Sequence, residues 1–227
     1  MTKMDPALVL YTHPLSRGRI ARWMLEEVGQ LYETRILSYE TDMKADAFLK
    51  LNPLGKVPTV THGERVITES AAICAYLADA FPEAGLAPAL QDRAAYYRWL
   101  FFVAGPVESA ICDLSMGVNP EGIHKRMVGY FDVATMIAAL ETALPSDPSA
   151  GPWIGGSHQF TAADVYVGSQ IRWGLQFDWL PERPLFTSYV ARCGQRPAFQ
   201  RALQIDDDLI EDGVSKGTIG APGTDEV

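Results

Sequence analysis

The sequence predicts an α/β domain of order βαβ–ββα over about the first 80 residues, followed by an all-helical domain. Three observations carry this. Short apolar or alternating runs at 8–11, 32–38, 57–60 and 65–68 have the length and composition of strands. Apolar residues at helical spacing fill the intervals 16–29 and 70–81. Beyond Pro82 the strand-like runs stop and helical spacing continues alone.

Leu8-Val9-Leu10-Tyr11 is a continuous apolar run, the pattern of a strand covered on both faces, and Thr12-His13-Pro14 breaks it. Ile20, Met24 and Val28 then repeat at helical spacing beside Ala21 and Trp23, with Gly29 placed as the C-cap. Thr34, Ile36 and Ser38 alternate against Glu33, Arg35 and Leu37 in a second strand, and a β-α-β crossover implies parallel pairing. Residues 40–51 make a short helix with Phe48 and Leu51 inward. Val57-Pro58-Thr59-Val60 and Arg65-Val66-Ile67-Thr68 flank His62-Gly63-Glu64, a hairpin with glycine in the turn. The helix at 70–81 carries Ile73, Tyr76, Leu77 and Ala80 on one face. This is the element order of a thioredoxin-like sheet.

Pro82, Gly85 and Pro88 punctuate the best domain boundary. The division is residues 1–84, a linker at 85–92, an all-helical bundle at 93–214, and a tail at 215–227 rich in Gly and Thr. In the helical part Ala94, Tyr97, Phe101 and Ala104 share a face, and residues from Ile123 through Met127, Tyr130, Ala134, Ile137 and Leu144 mark one longer helix. Four prolines and glycines make 145–152 a loop. Thr161-Ala162-Ala163-Asp164 forms a capping box with Asp in place of Glu, opening a helix through Trp173, with Phe160 placed to staple onto Val165.

Composition narrows the function. At 48% hydrophobic residues, with nine Phe, nine Tyr and five Trp, the 227-residue chain can fill a core, which excludes wholesale disorder. Nineteen basic against 28 acidic residues give a net charge of −9, which repels phosphate backbones and excludes nucleic acid as the main partner. No apolar run approaches the roughly 20 residues that span a bilayer, and the opening residues lack an export-type apolar segment. Cys74, Cys112 and Cys193 are odd in number and widely spaced, which suits neither a disulfide framework nor a metal site. The expectation is a soluble cytoplasmic protein without a metal or a membrane partner.

The most informative stretch is Asn52-Pro53-Leu54-Gly55-Lys56-Val57-Pro58. Proline cannot donate to a ladder, so at the mouth of a strand Pro58 makes sense as a cis peptide that leaves the Val57 backbone facing outward. A peptide-like ligand can pair with that backbone as a short added strand. Glu69-Ser70 opens the next helix, whose free N-terminal amides accept a carboxylate, while Glu69 can hold an ammonium group. Taken singly, the same residues also fit a plain turn and an ordinary helix cap.

Together with Glu69-Ser70-Ala71-Ala72-Ile73-Cys74-Ala75-Tyr76-Leu77 and the Phe160–Asp164 box, this stretch resembles the glutathione transferase family from about Leu8 to about Ala202. The resemblance implies an enzyme with a glutathione-binding thioredoxin-like domain, a helical domain that supplies a pocket for a hydrophobic electrophile, and a homodimer. Carried over residue by residue, Val57 pairs its backbone with the cysteinyl part of glutathione and Pro58 is the cis-proline. Glu69 and Ser70 hold the γ-glutamyl end, and Lys56 assists at the glycyl end.

The group that activates the thiol is more open. A thiol of pKa about 8.5 must become a thiolate to attack at neutral pH, and a hydroxyl donor near a helix N-terminus favours that form. Ser16, at the start of the first helix, resembles the serine-type classes of the family; as a plain residue it is an N-cap. Tyr11, at the strand end, resembles the tyrosine-type classes, and Thr12 and His13 are within reach of the same place. No cysteine lies between Tyr11 and Arg19, so redox chemistry at a protein thiol there is not expected. The function expected is transfer of glutathione to an electrophile. The alternatives are a glutathione-dependent lyase, dehalogenase or peroxidase, or a non-catalytic ligand binder on the same fold.

Overall fold

In the computed structural model, which describes residues 7–217 and 219, β1 (Leu8–Thr12), β2 (Tyr32–Ile36), β3 (Thr59–His62) and β4 (Arg65–Ile67) form a mixed sheet of order β2-β1-β3-β4. β1 runs parallel to β2, with Leu8 opposite Tyr32, and antiparallel to β3, with Tyr11 opposite Thr59. β4 closes the hairpin, with Val60 opposite Ile67. This is the thioredoxin-like arrangement. Alternation along β1 buries Leu8, Leu10 and Thr12 and leaves Val9 and Tyr11 half-buried on the other face. β2 is an edge strand, and Glu33, Arg35 and Ile36 are exposed.

α1 (Gly18–Val28) buries Ile20, Ala21, Trp23, Met24, Leu25 and Val28. It stops where Gly29 takes a left-handed φ of 73° and donates its N–H to the Leu25 carbonyl, the capping geometry that a side chain with a Cβ resists. The single-turn α2 (Asp46–Leu49) exists to bury Phe48. α3 (Ser70–Ala80) buries Ile73, Cys74, Leu77 and Ala78, while Tyr76 and Ala80 sit half-buried at the margin of that face.

The described residues of Met1–Ile73 and Pro197–Val227 make one compact unit, and Cys74–Arg196 makes a second. In the first, α9 (Pro197–Ser215) packs along α1. The second holds α4 (Ala94–Phe102), α5 (Glu108–Ser115), α6 (Val133–Glu141), α7 (Ala162–Gln176) and α8 (Pro184–Gly194). Between α4 and α5 the chain makes a π turn at Val103–Val107 around Pro106, which has no N–H to continue the α-helical ladder.

In this unit one expected helix face turns outward and one expected helix is shortened. The face of α4 shared by Tyr97 and Phe101 is the outward one, these residues being 41% and 70% exposed, and the core takes Tyr96, Trp99 and Leu100. The helix is apolar on both sides, so spacing alone cannot choose between them. The long helix expected from Ile123 is only α6. Phe131 takes a φ of 61°, which interrupts helical backbone, and Asp132 then caps α6 by accepting the Thr135 N–H at 2.8 Å. Ile123 and Met127 are consequently exposed.

The capping box of α7 is present, and the helix runs on to Gln176. The fully buried Asp164 accepts from Thr161 N–H and Thr161 Oγ1, both at 2.9 Å, from Ile154 N–H at 2.9 Å, and from the Tyr189 hydroxyl at 2.6 Å. Burial pushes its carboxyl up and outweighs the opposing pull of these four donors. Phe160 is buried edge-on to Trp153, with ring centroids 4.9 Å apart. All three cysteines are free, and burial pushes the Cys74 and Cys193 thiols up, away from reactivity. Among the described residues no helix is long and apolar enough to cross a membrane, and no cluster of three His, Cys, Asp or Glu is placed to hold a metal. The readings of the first six residues, and of most of the tail after Ser215, fall outside the described residues.

Candidate functional site

Strand register brings the three chemically informative segments to one end of the sheet. Tyr11, near the end of β1, lies opposite Thr59, the first residue of β3. Val60 lies opposite Ile67, the last residue of β4. The end of β1 with the loop after it (residues 12–17), the turn before β3 (52–58) and the start of α3 (69–70) therefore share that end.

The loop after β1 is folded on itself. Thr12 is buried and its Oγ1 donates weakly to the His13 carbonyl at 3.4 Å. His13 is buried, its ring 4.6 Å from that of Tyr39, and its Nδ1 accepts the Leu15 N–H at 3.2 Å. The Ser16 hydroxyl donates to the His13 carbonyl at 2.6 Å and accepts the Gly18 N–H at 2.9 Å. Ser16 thus satisfies the first amide of α1 from one residue ahead of the N-cap, which is Arg17 and not Ser16, while remaining half-buried. Gly18 is required by a close approach: a Cβ on it would fall 1.8 Å from Thr12 Oγ1. Tyr11 points to the opposite face from Thr12, its ring 5.8 Å from that of Phe48 and 5.6 Å beneath the Arg35 guanidinium.

The Val57–Pro58 peptide bond is cis. Among the described residues no hydrogen bond reaches the Val57 N–H or C=O, and the residue is half-buried. Around it the turn is tightly held. The buried Asn52 donates from Nδ2 to the Lys56 carbonyl at 2.8 Å and to Thr59 Oγ1 at 3.2 Å, and its Oδ1 accepts the Leu54 N–H at 3.1 Å. Lys44 Nζ donates to the Gly55 carbonyl at 3.1 Å. Gly55 takes a φ of 59°, and a Cβ there would meet the Met43 carbonyl oxygen at 2.7 Å. The Lys56 side chain is exposed. The sequence marks Asn52 only as part of a turn, and its support of the backbone on both sides of Val57 comes from the fold. Its place at the head of an Asn-Pro turn was the available signal.

Glu69 is exposed and holds a φ of 66°, an uncommon backbone state for a residue with a Cβ and one that concentrates at functional sites. Its carbonyl accepts the Ile73 N–H at 2.8 Å, so it opens α3 while its side chain stays outside the helix. Ser70, the first residue of α3, is half-buried. Chemically, this end of the sheet offers an unpaired backbone beside a cis proline, a helix N-terminus beside an acidic side chain, and a hydroxyl at a second helix N-terminus. That set suits a small zwitterionic peptide.

Comparison with known proteins agrees. Residues 17–80 match the model of the glutathione S-transferase N-terminal domain. The chain is 28% identical over 173 residues to glutathione S-transferase GST-4.5 of Xanthomonas campestris, covering 72% of this chain and 81% of that one. It is 31% identical over 171 residues to the maleylpyruvate isomerase of a Ralstonia species, covering 69% of this chain and 77% of the relative. A solved sphingomonad glutathione S-transferase complexed with glutathione superposes with a TM-score of 0.68 at 26% identity, over 88% of this chain and 98% of that one. The chain belongs to the glutathione S-transferase family and is a glutathione transferase.

Proposed function

We propose that the shared end of the sheet is the glutathione site and that Ser16 is the group that holds the reacting sulfur. In this reading the unpaired Val57 backbone, presented by cis Pro58, binds the cysteinyl segment. Glu69 and Ser70 bind the γ-glutamyl end, and Lys56 the glycyl carboxylate. The convergence of these segments through strand register is the observation that carries the reading. Thr12 and His13 are buried, whereas Ser16 and Tyr11 are each half-buried, and only Ser16 sits at a helix N-terminus. Its oxygen already accepts the Gly18 N–H, which polarises the hydroxyl. On thiolate formation its proton turns from the His13 carbonyl to the charged sulfur, the stronger acceptor. The sheet-bearing domain binds glutathione, and the helical domain supplies the surface for a hydrophobic electrophile. The protein works in the cytoplasm as a homodimer without a metal; the exposed Tyr97 and Phe101 of α4 support an apolar contact of that kind, and sedimentation at the mass of two chains checks it.

The Ralstonia relative, named a maleylpyruvate isomerase, favours a second reading in which the thiolate adds and leaves again. Consumption of glutathione during turnover separates transfer from such an isomerisation.

Ultraviolet titration of the bound thiolate tests the assignment. Ser16→Ala raises the bound-thiol pKa, leaves glutathione affinity nearly unchanged and lowers conjugation near neutral pH by roughly ten- to hundredfold, because a hydrogen bond to a charged acceptor contributes about 1.5–3 kcal/mol. A shift confined to Tyr11→Phe transfers the role to Tyr11. If neither variant shifts, a backbone amide, Thr12 or His13 holds the sulfur.

A further inference from the structure

We propose that Arg19 is a positioning residue that clamps the Ser16 loop to α9. Its Nε donates to the Pro14 carbonyl at 2.8 Å, inside the loop, and its Nη2 pairs with Asp207 on α9. One guanidinium thus ties the loop to a helix 188 residues further along the chain.

The clamp adds a long-range tie to a loop whose side-chain bonds are mostly short-range. Its own bonds are local: Leu15 N–H to His13 Nδ1 at 3.2 Å, Ser16 Oγ to the His13 carbonyl at 2.6 Å, Gly18 N–H to Ser16 Oγ at 2.9 Å. These fix the shape of the loop, and at its start the Thr12 carbonyl accepts the Leu37 N–H at 2.9 Å. Outside it, the Tyr39 hydroxyl donates to the Leu15 carbonyl at 2.9 Å, and that residue is itself exposed. Arg19 is the anchor with a rigid far end. Asp206, the neighbour of Asp207, is buried against Arg22 at 2.8 Å, and Arg201 pairs with Glu26 at 3.0 Å, so α9 is held along its length. The Asp207 side chain is 48% exposed, and a pair at that depth adds little to global stability. Its effect is local: it keeps the guanidinium in the one orientation that also reaches Pro14. A lysine ammonium is a point charge without the planar fork and cannot replace both bonds.

This inference rests on the glutathione site proposed above. The test uses the full-length chain with Asp207→Ala, Asp207→Glu and Arg19→Lys, reading conjugation kinetics, melting temperature and residue-resolved amide exchange without ligand. In Asp207→Ala, kcat falls on the order of tenfold or more, as expected when a reacting group is misplaced, while the KM for glutathione and the melting temperature stay at wild-type values. The Leu15 and Gly18 amides exchange faster, and α9 does not. Arg19→Lys behaves in the same way, and Asp207→Glu restores both readouts. Unchanged loop exchange in Asp207→Ala, or a loss of kcat that comes with a lower melting temperature and faster exchange throughout α9, overturns the clamp. Should the wild type show no thiolate signal with glutathione, the site reading fails, and exchange at Leu15 and Gly18 still decides whether Arg19 holds the loop.

Discussion

Arg22 and Asp206 stand 184 residues apart in the chain, and their side chains meet at 2.8 Å with exposures of 1% and 2%. Arg22 also donates from Nη1 to Tyr32 at 3.2 Å and to Thr34 at 3.1 Å. Among the described residues its Nη2 has no partner. Burial pushes the Asp206 carboxyl up and the adjacent guanidinium opposes that push. A buried pair with an unmet donor is poorly suited to raising stability, and its value lies in fixing how α9 seats on α1.

The first prediction follows from that imbalance. Asp206→Leu alone leaves a buried guanidinium without its counter-charge and should cost about 3–5 kcal/mol in chemical denaturation. Arg22→Met combined with Asp206→Leu removes both charges and should be far milder. Equal costs for the single and the double variant would refute this account.

Tyr32 sets an alkaline limit. Its hydroxyl donates to Glu26 at 2.7 Å in partly buried surroundings. Burial first, and the Glu26 carboxylate second, push its pKa up to about 12, against 10.0 for a free tyrosine. The folded protein holds this proton more tightly than the unfolded chain, so the stability gained is complete below about pH 10 and is lost as pH rises through about 12. Unfolding free energy measured across that interval should fall, and Tyr32→Phe should flatten part of the decline.

Gly18→Ala pits helix propensity against packing. Alanine is favoured over glycine by about 1 kcal/mol in a helix interior and by less at a first residue such as Gly18, but its Cβ would stand 1.8 Å from Thr12 Oγ1 and 2.9 Å from Ser16 Oγ. Packing wins: the variant should lose about 1–3 kcal/mol of stability and some conjugation activity through displacement of Ser16. Adding Thr12→Ala removes the shortest contact and should recover part of the stability. No recovery in the double variant would mean that the clash lies elsewhere.

Asn52→Ala strips the turn before β3 of the bonds to Lys56, Thr59 and Leu54. Leaving buried partners unmet costs about 1–3 kcal/mol, and glutathione affinity measured calorimetrically should weaken because the Val57 backbone is no longer held. Asn52→Asp should not rescue, since it lacks the Nδ2 donor. Full affinity in Asn52→Ala would show that the turn holds its form without this side chain.

Much of the candidate site was readable because its chemistry is local. Asn52 to Pro58 is seven consecutive residues, the α7 capping box is four, and Gly29 ends α1 through a bond to Leu25, four residues back. What escaped was the choice between equivalent local patterns. α4 offered two apolar faces, and only its packing partners selected Tyr96, Trp99 and Leu100 over Tyr97 and Phe101. The apolar spacing of 123–144 was continuous, but one positive φ at Phe131 and the Asp132 cap cut it.

By itself, then, the sequence determined the strands, the helices at either side of the Asn52–Pro58 turn, the start of α7, and the segments able to meet a peptide, since turns, caps and alternation are satisfied within a few residues. Only the tertiary structure decided where the Ser16 proton points, and that the run Asp206-Asp207-Asp208 is no simple solvated face. Asp206 is buried on Arg22 and Asp207 pairs with Arg19. Charges so far apart in the chain acquire these roles only when the fold removes water from between them, and no local pattern records which of the 28 acidic residues that will be.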